Sequence, residues 1–325
     1  MNVVVTGAAG FIGSTLVDRL LSEGHTVVGI DCFTEYYDEA TKRANIAGAL
    51  GNPNYTLAEI DLTTADLGGV FADVDVVWHL AGQPGVRLSW SAGFERYNTL
   101  NILATQRVLE AAQQAGVGRV VYASSSSIYG NAERFPTEET DLPQPFSPYG
   151  VTKLAAEHLC SLYAANWGTP TVSLRYFTVY GPRQRPDMAF HRMINAALAG
   201  TKFPLFGDGQ QRRSFTFVQD VVDATHRGGM TPDVAPGSVF NVAGEQSATV
   251  TEVIDMIGEI VGSPLQLDRQ PAQAGDALRT GGATERIAAA LGWTATTSVY
   301  DGLTAQVAHL RTIFERDGAA PPPVD

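Results

Sequence analysis

Residues 6–14 read TGAAGFIGS, a glycine-spaced turn where the apolar run 2–6 must hand over to a helical pattern beginning near Phe11. This feature constrains the chain more than any other. A strand that passes through Gly7, Gly10 and Gly13 into a helix lacks the side chains that would hold a ligand's phosphates away from the backbone. The helix N-terminus then offers free amide donors and the positive end of its dipole, which suits a dinucleotide pyrophosphate, with Phe11 and Ile12 at the same contact. The spacing Gly-x-x-Gly-x-x-Gly is one residue longer than the usual fingerprint, so context has to carry the argument. Residues 25–30 supply it: a second apolar strand pattern ends in Asp31, eighteen residues past Gly13. An acid there accepts hydrogen bonds from an adenosine ribose and repels the extra phosphate of NADP, so the expected cofactor is NAD.

The rest of the chain fits that beginning. Valine-rich runs recur at residues 3–5, 26–28, 74–78, 119–122 and 171–174, and helix-period segments lie between them at 12–23, 97–114 and 149–167. Runs so continuous suit strands buried on both faces of a parallel sheet, and their alternation with helices predicts a doubly wound α/β sheet of the Rossmann kind. Ligands of such sheets bind beyond the carboxyl ends of the strands. After about Tyr176 the pattern breaks at Pro182, Pro186, Pro204, Gly207 and Gly209, then resumes as helices at 218–227 and 250–261. The expected organisation is a cofactor domain over residues 1–176, with a return to its sheet near 214–243. Residues 177–317 form mostly a smaller C-terminal substrate-binding lobe, and a frayed tail spans 318–325.

Composition excludes several classes of function. A formal charge of −12 over 325 residues argues against a nucleic-acid partner, since phosphate backbones are bound by clustered Lys and Arg. Two cysteines, Cys32 and Cys160, are too few for a disulfide framework, and neither they nor the six histidines show metal-ligand spacing, so no metal is expected. Both cysteines read as ordinary semi-buried residues. With no apolar run approaching a membrane span and no leader before the first strand, the expectation is a cytoplasmic protein without a membrane partner.

Tyr149 and Lys153 form a Tyr-x-x-x-Lys pair on the helical segment 149–167. One turn apart on one face, they allow the ammonium to stabilise a phenolate that otherwise forms only near pH 10, which gives a usable base. With the glycine turn, Asp31 and this pair assembled, the chain resembles the extended short-chain dehydrogenase/reductases, the NAD-dependent epimerase/dehydratase family. Further motifs carry the resemblance nearly end to end: Asp61-Leu62, HLAGQPGVR at 79–87, ASSSSIYG at 123–130, SPYGVTK at 147–153, RYFTVYGP at 175–182 and GDGQQRRSFTFVQDV at 207–221.

The resemblance implies a set of roles. Asp61 and Leu62 lie near the adenine, Leu80, Ala81 and Tyr176 line the cofactor, and Lys153 holds the nicotinamide ribose. Counting back from Tyr129 in the family's Ser/Thr-x-x-x-Tyr-Gly pattern makes Ser125 the hydroxyl that shares the proton with Tyr149, with Ser124 and Ser126 leaving the register open by one. Where the family's dehydratases carry an Asp-Glu pair and its decarboxylases a Glu at the second position, this chain has Ser126 and Ser127. Without a carboxylate to move a proton there, 4-epimerisation is the simplest outcome.

RYFTVYGPRQRPDMA at 175–189 is similar to the UDP-glucuronate 4-epimerases in particular, with Thr178 where many sugar epimerases have Asn. Ser127 and Thr178 can donate to a sugar carboxylate, and Arg185 can add charge. The family likeness further assigns Arg213 to the diphosphate with Arg212 as companion, Phe206 in TKFPLF to the uracil, and Asp276 to the uridine ribose. Arg87 and Arg279 remain further candidates for the diphosphate. The implied partner is a UDP-sugar, with a homodimer packed through segments 97–114 and 149–167. The alternatives are a UDP-glucose or UDP-N-acetylhexosamine 4-epimerase, a UDP-glucuronate decarboxylase, and a catalytically silent NAD-binding scaffold.

Overall fold

The computed structural model describes residues 1–132, 134–271 and 279–317. Thirteen strands are present among them: β1 Asn2–Thr6, β2 Thr26–Ile30, β3 Tyr55–Ala58, β4 Val76–His79, β5 Arg119–Ser125, β6 Thr171–Tyr176, β7 Thr178–Tyr180, β8 Lys202–Phe206, β9 Arg212–Phe217, β10 Ser238–Val242, β11 Ser247–Thr249, β12 Gln266–Gln270 and β13 Arg279–Thr280. Seven form one sheet in the order β10-β6-β5-β4-β1-β2-β3, and every pairing in it is parallel. The order reverses at β1, which sits between β2 and β4. That reversal opens a crevice at the carboxyl ends of these strands, the place where doubly wound sheets hold ligands.

The valine runs form strands because both of their faces are covered. Val3, Val4 and Val5, Val27, Val76 and Val77, and Val120 and Val121 are all buried, shared between a core on one side of the sheet and a second core on the other. On one face the helices Phe11–Ser22 and Val218–Met230 cover the sheet, and on the other the chain from Phe94 to Ala115 and the helix Pro148–Trp167. The expected helix over 97–114 has a finer structure. Phe94–Tyr97 and Ala104–Ala115 are α-helical, and Asn98–Leu103 between them is a π-helical turn. Such widened turns gather at functional sites.

The smaller lobe has its own core, in which Phe190, Ile194, Phe203, Phe215, Ile254, Ile257 and Leu303 pack together. Its strand β9 pairs with β7 and β13 in parallel and with β11 antiparallel, while β8 pairs with β12. The return to the main sheet is narrower than residues 214–243. β10 joins β6 and the helix Val218–Met230 packs on the main core, but residues 214–217 stay in the small sheet as the end of β9. Ile287, Leu291 and Trp293, late in the chain, also pack on the main core. The strand β3 and the helix Glu39–Leu50 complete the sheet's first half, and neither stood out as a periodic segment.

Candidate active site

Gly10 caps the helix Phe11–Ser22 with no side-chain hydrogen bond, so the first-turn amides face the crevice without a side-chain cap. Gly7 has φ +69°, and a Cβ on it would meet the Ala81 nitrogen at 2.9 Å. A Cβ on Gly13 would fall 2.1 Å from the Gly7 oxygen, so strand, turn and helix close on one another only because these side chains are missing. Beside the turn, Asp31 ends β2. Its carboxylate accepts from the backbone of Ala9 at 3.1 Å and of Phe33 at 2.9 Å, and so is fixed in the crevice.

The crevice is a single cavity lined by Gly7, Gly10, Phe11, Ile12, Gly13 and Asp31 at one end, Asp61, Leu62, Leu80 and Ala81 along it, and Tyr149, Lys153, Tyr176 and Arg185 at the other. Every residue assigned to the cofactor therefore lines one continuous space. The uncapped helix end, the glycine cradle and the pinned acid are the donor set a dinucleotide requires, so these residues fit NAD.

At the far end, Pro148 starts the helix that carries Tyr149 and Lys153, and the Ser147 hydroxyl caps it by accepting from the Gly150 amide at 3.1 Å. Burial raises the Tyr149 phenol above its ordinary value, while the Ser125 hydroxyl and the Arg185 charge pull it down. Lys153, one turn along the same helix, has its Nζ 4.7 Å from the centre of the Tyr122 ring, and burial draws its pKa down to about 8. It lines the same cavity as Tyr149 and Arg185.

Strand alternation separates Ser124 from Ser125, and Ser126 already starts the 3-10 turn that follows β5. Ser124 donates to Glu157 Oε2 at 2.6 Å, part of a buried cluster in which Arg175 meets Glu157 at 2.7 and 3.1 Å and also donates to Tyr129 Oη. Ser125 turns the other way, accepts from the Ser127 amide at 3.1 Å and reaches Tyr149. Ser127 and Thr178 are half-buried and lie outside the lining of the cofactor cavity.

Arg185 is the best-supported of the candidate substrate residues. Its Nε and Nη2 donate to the two oxygens of Asp187 at 2.9 and 3.0 Å, its side chain is 18% exposed, and Tyr36 donates to the same carboxylate at 3.2 Å. Burial opposes the charge, but the bonds to Asp187 prevail and keep the guanidinium ionised. The Tyr36 phenol is pushed up to about 12 by burial and by Asp187, so it remains a donor.

Arg87 and Phe206, drawn from different lobes, meet face to face, with the guanidinium 5.8 Å from the ring centre. Arg213, half-buried on β9, is engaged with a partner. Its companion Arg212 bonds the Ser247 carbonyl at 2.9 Å and Glu252 at 3.2 Å. Arg279 stacks on Phe135 at 3.5 Å. Asp276 and the tail 318–325 lie outside the described residues.

Several contributors escaped the sequence reading. Asn101, in the π-helical turn, accepts from the Gln83 amide at 2.6 Å and donates to the Gln83 carbonyl and to Thr152 Oγ1, which ties the cofactor-lining loop to the Tyr149 helix. Lys42 is buried against the Thr34 carbonyl and, with Tyr36 and Tyr37, lines the cavity. The aromatic pair just past Asp31 was a usable signal, since loops that follow strand ends in such folds carry ligand contacts. The cysteines also differ from expectation, Cys32 being exposed on the cavity wall and Cys160 fully buried. The histidine spacing, which suggested no metal site, did not reveal that His25 and His226 converge with Glu23 in space.

The model of the NAD dependent epimerase/dehydratase family matches residues 3–243. A Bacillus subtilis protein described as an uncharacterized UDP-glucose epimerase is 42% identical over 97% of this chain and 99% of its own. A probable UDP-glucuronate 4-epimerase of Rhizobium meliloti is 33% identical, covering 93% and 95% of the two chains. Among solved structures, the UDP-glucuronic acid 4-epimerase of Bacillus cereus with UDP-glucuronic acid and NAD superposes with a TM-score of 0.93 at 40% identity, over 96% of this chain and all of that one.

Proposed function

We propose, from the premise that this chain belongs to the NAD dependent epimerase/dehydratase family, that it is a UDP-glucuronate 4-epimerase interconverting UDP-glucuronate and UDP-galacturonate. The observation that carries the substrate choice is Arg185, a half-buried cation on the cavity wall beside the Tyr149 phenol. A neutral hexose has no use for that charge, whereas the carboxylate at carbon 5 of a uronic acid pairs with it.

Gly7, Gly10 and Gly13 with the helix N-terminus hold the cofactor's pyrophosphate, Asp31 its adenosine ribose, and Lys153 and Tyr176 its nicotinamide end. When bound, NAD supplies reversible hydride acceptance at carbon 4 of the sugar. Tyr149 takes the proton of the carbon 4 hydroxyl, and Ser125 relays it. Cations beside the phenol, Arg185 across the cavity and Lys153 one turn along the helix, lower the cost of the phenolate that accepts this proton. The 4-keto sugar turns about its diphosphate, held by Arg213, with the uracil near Phe206 and Arg87, so that carbon 4 would present its opposite face to the cofactor for reduction while Tyr149 gives its proton back to the carbon 4 oxygen.

A 4-keto uronate is a β-keto acid and loses carbon dioxide when its carboxylate stands perpendicular to the ketone. Ser127, Thr178 and Arg185 pin the carboxylate away from that alignment. Ser127→Ala and Thr178→Ala are expected to release several-fold more carbon dioxide per turnover, and wild-type product ratios in both would remove this role.

A neutral-sugar reading is favoured by relatives described as UDP-glucose epimerases, at 42% and 37% identity. Incubating purified protein, with no added cofactor, with UDP-glucuronate and separately with UDP-glucose distinguishes the two by NMR of the products. The account expects UDP-galacturonate from the first and little change in the second.

Exposed Leu103, Val151, Leu162 and Trp167 on the paired helices support a homodimer through that face. Among the described residues no helix is long and apolar enough to cross a membrane, which accords with a cytoplasmic enzyme. We assign residues 1–176, with β10 and the helix Val218–Met230, to the cofactor domain and most of residues 177–317 to the sugar-nucleotide lobe.

A further inference from the structure

His25 stands immediately before β2, at the amino ends of the parallel strands and so on the opposite side of the sheet from the cofactor cavity. There it meets Glu23, which ends the first helix, and His226, from the helix Val218–Met230. Glu23 Oε2 lies 2.7 Å from His226 Nε2 and 3.5 Å from His25 Nε2, and one donor atom from each residue falls within 4.8 Å of the others.

The carboxylate is not free to turn away. Its Oε1 is bound by Arg19 Nε at 3.0 Å, Arg19 Nη1 is held by Asp223 at 2.8 Å, and Arg227 grips the other oxygen of Asp223 at 2.7 Å. His226 is equally constrained. Its ring stacks on Trp78 at 6.4 Å and 7°, and its buried Nε2 makes no aligned hydrogen bond although Oε2 is close by.

We propose that Glu23, His25 and His226 bind one divalent transition ion of the zinc class through two imidazole nitrogens and one carboxylate oxygen, with water in the fourth position. Two nitrogens and one oxygen suit zinc and its neighbours rather than magnesium or calcium, which take oxygen ligands. With bonds of about 2.0–2.1 Å, donors around a tetrahedral ion lie roughly 3.3 Å apart, and the gaps of 2.7 and 3.5 Å bracket that figure. Arg19 serves as the outer partner that fixes the carboxylate, a part usually played by a hydrogen bond to the ligand's second atom. Its charge is offset by Asp223.

His25 Nδ1 faces the amino terminus at 3.5 Å, which leaves Nε2 turned to Glu23. The ion joins the first helix, β2 and a helix two hundred residues further on. It therefore strengthens the cofactor domain and takes no part in the sugar chemistry.

The test is calorimetric titration of chelator-stripped full-length holoenzyme with Zn²⁺, together with the visible spectrum of the Co²⁺ form and the melting temperature with and without metal. Wild type is expected to bind one ion per chain, to show four-coordinate Co²⁺ bands and to melt higher with zinc. His226→Gln and His25→Gln should each weaken binding more than roughly 10-fold and lose the melting shift, while the exposed His158→Gln changes neither. The half-exposed His25 is replaceable without touching the core, so its variant decides the matter even where His226→Gln fails to fold. No zinc binding by wild type, or binding of unchanged affinity in His25→Gln, overturns the proposal.

Discussion

Two arginine–carboxylate pairs, one in each lobe, have opposite surroundings. Arg175 and Glu157, 6% and 4% exposed, are closed in by Ser124, Tyr129 and the Glu139 carbonyl, so every polar atom of the pair has a partner inside the protein. Arg185 and Asp187, 18% and 26% exposed, are clamped with equal care, by Tyr36, but one face of the guanidinium looks into the cavity toward Tyr149. The same chemical pair is a girder in one place and a tool in the other. What separates them is the direction left open, and neither residue type nor the bond lengths reveal it.

Variants can break this contrast. The largest effect belongs to the group that Arg185 faces. Tyr149→Phe is expected to lose roughly 10²–10⁴-fold in kcat, as removal of an acid–base group does, while denaturant melts stay at the wild-type midpoint. Turnover near wild type would detach Arg185 from any catalytic neighbour. Arg175→Met should reduce stability by about 3–5 kcal/mol, because Glu157 is left charged and buried, with specific activity per folded molecule little changed. A stable variant would mean that this pair is no girder, and adding Glu157→Gln should restore part of the loss.

Arg185→Met should show the reverse pattern. We expect kcat/KM for the acidic sugar to fall roughly 10–100-fold, the worth of one or two charged hydrogen bonds, at nearly unchanged stability. An equal loss for UDP-glucose would show that the guanidinium does not read the carboxylate.

The smallest effect sharpens the contrast through pH. Neither arginine titrates in an accessible range, so acid sensitivity of the domain must have another source. His79, fully buried between Thr6 and Thr105, has its pKa drawn down by burial to about 3, below its unfolded value near 6.5. Its stabilising contribution is complete above pH 6.5 and is lost as pH falls toward 3. Between pH 7 and 5.5 this costs about 1 kcal/mol. His79→Gln should flatten the stability–pH curve in that interval, and an unaltered slope would assign the effect to other groups.

The cofactor half of the site was legible in the sequence because it is written locally. The glycine turn, Asp31, and Tyr149 with Lys153 each lie within a few residues at the end of one element, where backbone geometry alone dictates what they face. The sugar half is assembled from a distance. Tyr36 reaches Asp187 across 151 positions and Arg87 meets Phe206 across the lobe boundary, and no spacing rule encodes either contact. Ser124, Ser125 and Ser126 are chemically identical in sequence, and the pleat of β5 together with its end at Ser125 decides among them. Lys153 was read from helix periodicity as a neighbour of the phenol, but its burial against the Tyr122 ring, which lowers its own pKa, is not encoded by any spacing rule. The group of Glu23, His25 and His226 depends on packing the first helix against one two hundred residues later.

The reaction itself is tested most directly with UDP-glucuronate carrying deuterium at carbon 4, incubated in ordinary water with the protein as purified. The account predicts UDP-galacturonate that retains the deuterium at carbon 4, because the hydrogen removed from one face returns to the other without meeting solvent. Loss of the label from the product, or a pentose product with release of carbon dioxide, would contradict it.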